Sequence, residues 1–398
     1  MSKKIVNFGL VGFAVSSPLS LFAAEMCIAI VVIGWIFRII SEKNFQWKKS
    51  PIDIFIIFYL SSQIISSAIS IAPVHALHAM IDTEWPMLIF FGLINNCDDE
   101  NLLRKVAYVL ITFSLVASLY AFWEYFSGWD VIRQKKLAGL PEIAHYRAEG
   151  FFEFYLTFAG YQSVVLLITI SLFITVSTMK EKIFLSSASV ILFLSILATY
   201  ARSMLFALTI AAVIFAIMKG GKFAWRILVI GVIIFAMISF FIPSFYHRAS
   251  SAFSAEENID RINVYKTCIN IAKDYPAFGV GVENFLLYYD QYKVPENKLR
   301  SPHNDYFNVL VNSGIVGLVT FLVLWSAFIY YCTRAYFAMR DSFSKNLLLG
   351  CTLGIITLLF GSIFQGYYTD IENSMQWWFV AGIAMTIVVN KEKLLHEI

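Results

Sequence analysis

The sequence predicts an all-α polytopic membrane protein of about 12 transmembrane helices. Of its 398 residues, 59% are hydrophobic and 14% are charged, and apolar windows of about 17–25 residues follow one another almost without interruption. Backbone groups inside a bilayer must bond within their own helix, so these windows are expected to be helical. We therefore expect one transmembrane domain over residues 1–398 and no separate soluble domain.

The expected spans are separated by turn signals such as Ser16-Ser17-Pro18 and Lys219-Gly220-Gly221. The apolar N-terminus resembles a signal peptide, but Phe22-Ala23-Ala24 has a large residue where cleavage needs a small one, which predicts an uncleaved first hairpin. The spans cover residues 5–20, 24–40, 52–71, 80–95, 103–126, 155–178, 184–200, 203–218, 226–243, 306–332, 347–367 and 374–390.

Basic residues gather in one set of connections between the spans, which predicts that this set and both termini are cytoplasmic. The short connections near Pro73 and Asp370 have none. Two long segments, 127–154 and 244–302, carry most of the remaining basic residues on the opposite side. The connections in the first set contain Lys3/Lys4, Arg38/Lys43/Lys48/Lys49, Arg104/Lys105, Lys180/Lys182, Lys219/Lys222/Arg226, Arg334/Arg340/Lys345 and Lys391/Lys393.

The cysteines and histidines do not form a recognisable metal or disulfide pattern. The five cysteines are scattered along the chain, mostly in or beside spans. His75 and His78 could share a helix face, but two ligands do not make a metal site. We expect no metal and no cofactor.

Arg202 interrupts an apolar run between Ala198 and Phe206. An arginine within a span is costly, about 2.5–3.5 kcal/mol on insertion scales, and usually faces a cavity or a partner. Arg202 either snorkels at a tight helix turn or points its guanidinium into a cavity at the membrane surface. In the second case its fork of donors would suit phosphate oxygens.

A long polar stretch runs from about Ser244 to Pro302 and predicts a partly helical loop outside the lipid. From Asp260 and Arg261, polar and apolar residues alternate at helical spacing through Ala272, and Pro276 then stops the helix. Gly279 and Gly281 follow and allow a tight turn and a close backbone approach. The Gly-x-Gly pattern alone is weak, because no βαβ context surrounds it.

His303 follows Pro302 at the start of the tenth span. It is either a capping histidine at the membrane surface or a functional one. Nearby arginines would lower its pKa and keep it neutral at pH 7, as a general base requires. Asn304 could orient it or bind sugar hydroxyls, and Arg147, beside a turn, is a supporting candidate.

Several motifs together resemble the O-antigen ligase/polymerase family over roughly residues 147–330. They are individually loose but collectively specific, and lipopolysaccharide O-antigen ligases are the closest match. The motifs are Arg147 to Gly150 with Phe151, Ala201-Arg202-Ser203, Arg261 with Tyr265 and Pro276, Gly279-Val280-Gly281 with Asn284-Phe285, His303-Asn304-Asp305-Tyr306, and Gly314-Ile315-Val316-Gly317-Leu318.

The resemblance implies a metal-independent glycosyltransferase with a GT-C-like helical fold in the inner membrane. Its active site would face the periplasm, with the loop over residues 244–305 forming part of it. The donor would be a polysaccharide on undecaprenyl diphosphate and the acceptor a sugar hydroxyl of lipid A–core. Membrane lipids are the other expected partners, and no nucleic acid is expected.

Carried over by motif, Arg202 and Arg261 would hold the diphosphate and His303 would activate the acceptor hydroxyl. These three are the predicted catalytic residues. A single base fits a one-step displacement with inversion, because no positioned nucleophile is evident. The predicted substrate-binding residues are Arg147, Asn304, Gly279, Gly281, Asn284 and Arg300.

Two other functions stay open from the sequence. An O-antigen polymerase of the same family shares the donor chemistry and differs in the acceptor. A secondary transporter would place ionisable residues near the bilayer midplane and would show two related halves. The chain shows no internal repeat, and its charges gather at the predicted periplasmic surface instead.

Overall fold

A computed structural model describes residues 2–42, 46–139, 145–221, 225–226, 229, 255–295 and 299–396. These residues are mostly helical, with one two-stranded hairpin. The helices are α1 (Ser2–Ser16), α2 (Leu21–Ser41), α3 (Asp53–Ile69), α4 (Pro73–Glu84), α5 (Leu88–Asn96), α6 (Glu100–Ser127), α7 (Tyr155–Phe173), α8 (Met179–Ala198), α9 (Arg202–Lys219), α10 (Ala255–Asp274), α11 (Phe285–Tyr292), α12 (Asp305–Ala338), α13 (Phe343–Gly361) and α14 (Ile371–His396). Strand β1 (Trp129–Asp130) pairs antiparallel with β2 (Lys135–Lys136).

The chain is an all-α polytopic membrane protein, as predicted. In the described part of the chain, eight helical stretches are long and apolar enough to cross a membrane. They are α2, the α4–α5 pair, α6, α7, α8, α9, α12 and α13. Each predicted span outside 226–243 coincides with a helix, and the span at 226–243 lies outside the described residues except for residues 226 and 229. A single 3₁₀ turn at Trp85–Met87, which contains Pro86, joins α4 to α5.

The centre of the bundle is formed by α7, α13 and α14. Helix α7 is buried along most of its length, and the described side chains of α14 are almost all buried. On α13, Gly350 faces Ile168 and Gly354 faces Val164, so closely that a Cβ at either glycine would overlap α7. In lipid the hydrophobic effect does not drive helices together, so their association depends on close packing. Small residues at the interface allow the two backbones to approach closely.

One end of the bundle, called the basic end here, carries Lys3, Lys48, Lys219 and Lys391. Lys48 and Lys3 both pair with Asp98. Lys219 Nζ lies 3.2 Å from the Asn346 side-chain oxygen. Lys391 donates to the Ala335 carbonyl over 3.2 Å. These four lysines of the basic connections therefore meet at one end, and the start of α12 lies at the other.

Helix α12 is broken at Gly314, where the sequence predicted an uninterrupted span. Gly314 has φ 66° and ψ −164°, far from helical values. The break frees the carbonyls of Val311 and Asn312, which accept from the amides of Val280 and Gly281 over 2.9 Å each. Non-helical backbone at the depth of a membrane span must find such partners within the protein.

Residues 264–289 of the long loop pack against this break around an apolar cluster of their own. Helix α10 ends at Asp274, before Pro276, as its sequence pattern predicted. Return bonds run from the Ile315 and Val316 amides to the Pro276 and Ala277 carbonyls, at 2.8 and 3.2 Å. The apolar cluster consists of Val264, Cys268, Ile271, Val280, Phe285, Tyr288, Tyr289 and Val311.

Gly314→Ala should lower the thermal unfolding midpoint in detergent well below that of the wild type. A Cβ there would overlap the Ala277 backbone, and the positive φ adds about 1 kcal/mol or more for any L side chain. Overpacking adds about 1–3 kcal/mol to that. Gly220→Ala is the matched control, because Gly220 has the same φ of 66° and no atom within 4 Å of an added Cβ. Equal midpoints for the two variants would contradict this account of the break.

Candidate active site

The connection between α13 and α14, residues 362–370, is held by one buried carboxylate. Asp305, the first residue of α12, is fully buried. Its Oδ2 accepts from the Ser362 hydroxyl at 2.6 Å and from the Tyr367 and Tyr368 amides at 2.8 Å each. Its Oδ1 accepts from the Thr369 hydroxyl at 2.9 Å and the Thr369 amide at 3.2 Å. Asp305 thus ties the start of α12 to the whole of this connection.

The same connection is anchored to the first half of the bundle through Glu84. The Tyr368 hydroxyl donates to Glu84 over 2.6 Å, and the Tyr59 hydroxyl donates to the other carboxylate oxygen over 3.1 Å. All three side chains are buried. A buried carboxylate with two donors avoids the cost of an unpaired charge, and it fixes the connection against α3 and α4.

His303 lies directly before this anchored helix start, in an unusual backbone conformation. Its φ is +46°, a left-handed value that costs a non-glycine residue of the order of 1 kcal/mol and is concentrated at functional sites. Asn304 caps α12 by accepting from the Phe307 amide at 3.1 Å, and its amide donates to the Ile363 carbonyl at 2.7 Å. These contacts hold the helix start beside His303, and both functions predicted for Asn304, orienting His303 and binding sugar hydroxyls, stay predictions.

The His303 ring is half-buried and faces the α13–α14 connection. Its Nδ1 lies 3.2 Å from the Gln365 side-chain oxygen. Burial is the main cause that lowers the pKa of His303 below its ordinary 6.5, and the positive charge of Arg261 lowers it further, while the Gln365 hydrogen bond raises it. The sequence predicted the direction correctly but named arginine repulsion as the cause, whereas desolvation is the larger one.

Arg261 is brought to His303 by an aromatic contact one helical turn further along α10. Tyr265, on the same face of the helix as Arg261, stacks on Phe307 with ring centroids 4.6 Å apart. The Tyr265 hydroxyl also donates to the Ile363 carbonyl at 3.4 Å. Burial raises the pKa of Tyr265, so this residue remains a neutral donor. Arg261 is thereby placed close enough to affect the charge of His303.

Arg202 is the first residue of α9 and approaches the same connection from another side. Phe206, one turn later on the same helix face, packs edge-on against Phe364 with centroids 6.2 Å apart. The turn before it is tight, with Tyr200 at φ +54°, and no side chain caps the helix start at Ala201. Arg202 and Arg261 thus each stand one turn before an aromatic residue that packs beside residues 363–364.

Arg147 lies beside the turn that precedes Arg202. The Ala148 amide donates to the Ala198 carbonyl at the end of α8, at 3.2 Å. The Arg147 guanidinium lies 4.4 Å from the centre of the Tyr155 ring, a cation–π contact. Its Nε is buried without a hydrogen-bond partner among the described residues. Arg147 therefore belongs to the same region as Arg202.

The other predicted substrate-binding residues lie about two turns further along α12. Gly279 packs on the Val311 carbonyl and Gly281 on Ser70, and the buried Asn284 amide donates to the Val280 carbonyl at 2.9 Å. Arg300 is exposed, with its guanidinium 5.9 Å from the centre of the Tyr289 ring. The close backbone approach predicted for the glycines is an approach to the protein's own chain, and substrate binding by these four residues stays a prediction.

Two residues of this region were missed by the sequence reasoning. Gln365 lies in a connection for which the sequence analysis noted only the lack of basic residues. Asp305 was named only as a member of the His303 to Tyr306 motif, with no function assigned to it. Residues separated by about 60 positions share no periodic pattern, so only the fold brings them together. The one available signal was the Asn304-Asp305 pair, which is typical of a helix start.

Metal ligands are not clustered in this region. Among the residues the structure describes, no group of three or more His, Cys, Asp or Glu could hold a metal ion. All five cysteines are free thiols. The polar side chains with contacts to the connection are instead the His303 imidazole and the Asn304 amide, besides the Asp305 carboxylate.

Comparison with known proteins gives a family match over the part of the chain that contains this region. Residues 187–322 match the O-antigen ligase family. The matched part includes Arg202, Arg261 and His303, and it confirms the resemblance predicted from the motifs. The match indicates a ligase or glycosyltransferase type of enzyme that acts on lipid-linked polysaccharide. No curated protein matches the chain.

Asp305→Asn should strongly destabilise the end of the bundle where α12 begins. The amide would turn one acceptor oxygen into a donor facing other donors, and hydrogen bonds to a buried charged group are worth about 1.5–3 kcal/mol each. We expect a loss of about 3 kcal/mol, measured as a lower unfolding midpoint in detergent. Asp290→Asn, at an exposed carboxylate that pairs with Lys293, should leave the midpoint almost unchanged. An unchanged midpoint for Asp305→Asn would disprove its anchoring function.

Proposed function

We propose that the protein is an O-antigen ligase, which transfers polysaccharide from undecaprenyl diphosphate to a sugar hydroxyl of lipid A–core. The observation that carries this proposal is that three separate segments contact the α13–α14 connection: His303 lies 3.2 Å from Gln365, Tyr265 one turn after Arg261 bonds to Ile363, and Phe206 one turn after Arg202 packs on Phe364. Arg202, Arg261 and His303 all lie within the residues that match the family. The three residues come from three separate segments. An uncapped helix start and two guanidinium groups favour a polyanion, and a neutral imidazole beside them favours proton abstraction.

The arginines are suited to the donor diphosphate. A guanidinium binds phosphate oxygens through two parallel hydrogen bonds. The start of α9 adds backbone amides and the positive end of the helix dipole to Arg202. Arg147, with its buried Nε, would extend this positive surface along the donor.

The proposed reaction is a single displacement at the anomeric carbon of the donor sugar. The acceptor hydroxyl gives its proton to His303 while its oxygen bonds to that carbon. The bond from the anomeric carbon to the phosphate oxygen breaks, and its electron pair leaves with undecaprenyl diphosphate. Attack on the face opposite the leaving group inverts the configuration. The arginines stabilise the charge that grows on the diphosphate, which is where fixed charges accelerate a reaction most.

The charge distribution supports a periplasmic site in the inner membrane. Basic connections favour the cytoplasmic side, and the basic end of the bundle is opposite the end that carries Arg261 and His303. Both termini would then be cytoplasmic. Both substrates are lipid-linked, and a site at the ends of spanning helices lets each of them enter sideways from the bilayer. A GT-C-like fold, which the family resemblance implies, is part of this proposal, and the all-α bundle supports it.

A gene deletion separates this function from that of an O-antigen polymerase, which shares the donor chemistry. On a gel, lipopolysaccharide from the deletion strain should contain no lipid A–core that carries polysaccharide, and polymer should accumulate on the lipid carrier. Complementation with the wild-type gene should restore the ladder of bands from core that carries polysaccharide. Core bearing a single repeat would indicate a polymerase instead. Solute movement by the protein in liposomes without consumption of lipid-linked sugar would indicate a transporter.

Arg261→Ala should lower the transfer rate about 10²–10³-fold, the usual effect of losing one preorganised donor. Arg202→Ala and His303→Ala should be similarly impaired, measured with purified protein, lipid-linked polysaccharide and lipid A–core. Lys266→Ala is the matched control, because Lys266 is an exposed basic residue on the same helix, and it should transfer at the wild-type rate. Normal activity in Arg261→Ala, with Lys266→Ala also active, would remove Arg261 from the mechanism.

The pH dependence should show a base with a lowered pKa. Because burial and Arg261 hold the pKa of His303 below 6.5, more than half of the imidazole is neutral at pH 6.5. The transfer rate should therefore fall to half of its plateau only below pH 6.5, as the pH drops through the lowered pKa. A rate that has already halved at or above pH 6.5 would argue against His303 as the base. His303→Ala should keep only a small residual rate, and its pH profile should lack this fall at low pH, the acid limb.

A further inference from the structure

We propose that Gln365 is a positioning residue that fixes the tautomer of His303 with the proton on Nδ1 and the lone pair on Nε2. This inference rests on the proposed function, because it takes His303 as the base of the transfer. It assigns Nε2 as the atom that receives the proton of the acceptor hydroxyl. It also gives a function to the α13–α14 connection, which lies outside the part of the chain that matches the family.

The contact that carries the proposal is the one between the imidazole and the amide. The Gln365 side-chain oxygen lies 3.2 Å from His303 Nδ1, and an amide oxygen can only accept a hydrogen bond. Nδ1 must then carry the hydrogen, which leaves Nε2 as the basic atom. In a neutral histidine the group bonded to one ring nitrogen decides which form the other takes.

The backbone on both sides of Gln365 is held firmly. Its amide donates to the Gly361 carbonyl at 3.2 Å, which continues the last turn of α13. Asp305 holds Ser362 before it and the Tyr367 to Thr369 stretch after it. At Gly366 an added Cβ would overlap the Thr369 hydroxyl, so a side chain there would displace a group that is bonded to Asp305. The amide is thus placed by the same carboxylate that anchors the helix start next to His303.

A neutral acceptor suits this position better than a carboxylate. Among the described residues, Arg261 on α10 is a charged group that acts on the ring, with Tyr265 one turn further along that helix, and Arg202 on α9 approaches the same connection. The Asp305 carboxylate on α12 is turned to the connection by its five hydrogen bonds. A carboxylate at residue 365 would hold a proton on the imidazole at neutral pH. It would also compete with the diphosphate for Arg261. An amide orients the ring without either effect.

The Gln365 contact also serves the charged form of the ring. When Nε2 takes the proton of the acceptor, both ring nitrogens become donors, and the Gln365 oxygen still accepts from Nδ1. The hydrogen bond then becomes charge-assisted and stronger. Because the bond strengthens as the reaction proceeds, its loss should lower kcat more than it changes KM.

The test combines kinetics with a direct measurement of the tautomer. In ¹⁵N-histidine-labelled protein, the ring signals of His303, assigned by their disappearance in His303→Ala, should show a protonated Nδ1 and an unprotonated Nε2. In Gln365→Leu the Nδ1–H form should no longer predominate. Its kcat should fall about 10–100-fold, the usual effect of losing a partner that orients a functional imidazole, with KM within about two-fold of the wild type.

Gln365→Glu keeps the shape and the acceptor but adds a negative charge. It should keep the Nδ1–H form, and the acid limb of its kcat profile should move up by about one pH unit or more, because a carboxylate stabilises the imidazolium. A residue that only supports the fold would not move this limb. Gln291→Leu, the same change of residue type at an exposed position on α11, should change neither the spectrum nor the kinetics.

Three outcomes are distinguishable. Gln365→Leu with the wild-type ring signals and wild-type kcat would overturn the proposal while leaving the function intact. Gln365→Glu with an unmoved acid limb would also overturn it, and this variant serves if the leucine variant does not fold. An active His303→Ala would refute the proposed mechanism instead, and the ring spectrum of the wild-type protein would still decide whether Gln365 selects the tautomer.

Discussion

The buried Asp305 carboxylate is the interaction on which the arrangement of this end of the bundle depends. It accepts five hydrogen bonds from residues about 60 positions away, and it stands at the first position of α12, where a negative charge also complements the helix dipole. A charge removed from water is stable only when it is fully hydrogen-bonded. The connection that satisfies Asp305 therefore has one conformation available, and that conformation places Ile363, Phe364 and Gln365 beside His303.

Each proposed functional side chain reaches this connection through a neighbouring residue that is not itself reactive. Asn304 links the helix start to Ile363, Tyr265 brings α10 to the same carbonyl, and Phe206 brings α9 to Phe364. Aromatic contacts and a helix cap thus position the helix turns that carry Arg202, Arg261 and His303 beside this connection. The left-handed conformations of His303 and Tyr200 are sustained by this packing, as strain at functional sites usually is.

Much of the candidate site could be predicted from the sequence, and the reasons are local. Arg202 stood out because a charge inside an apolar run is rare, and His303 because a polar pair follows a proline at a helix start. Gln365 could not be found this way, since a lone glutamine in a short polar connection is unremarkable. Gly279 and Gly281 were expected near a ligand, but the structure places them against the freed carbonyls of α12 and Ser70. The sequence pattern indicated a close approach without naming the partner.

The sequence by itself determined that this chain crosses a membrane many times, roughly where most of its helices lie, and which end of the bundle is basic. These properties follow from hydropathy and charge, which act over one helix length at a time. The tertiary structure alone decided that α12 breaks at Gly314, that a distant connection closes around Asp305, and that His303 meets Gln365. Each of these depends on a polar group finding a partner far along the chain, because lipid offers it none.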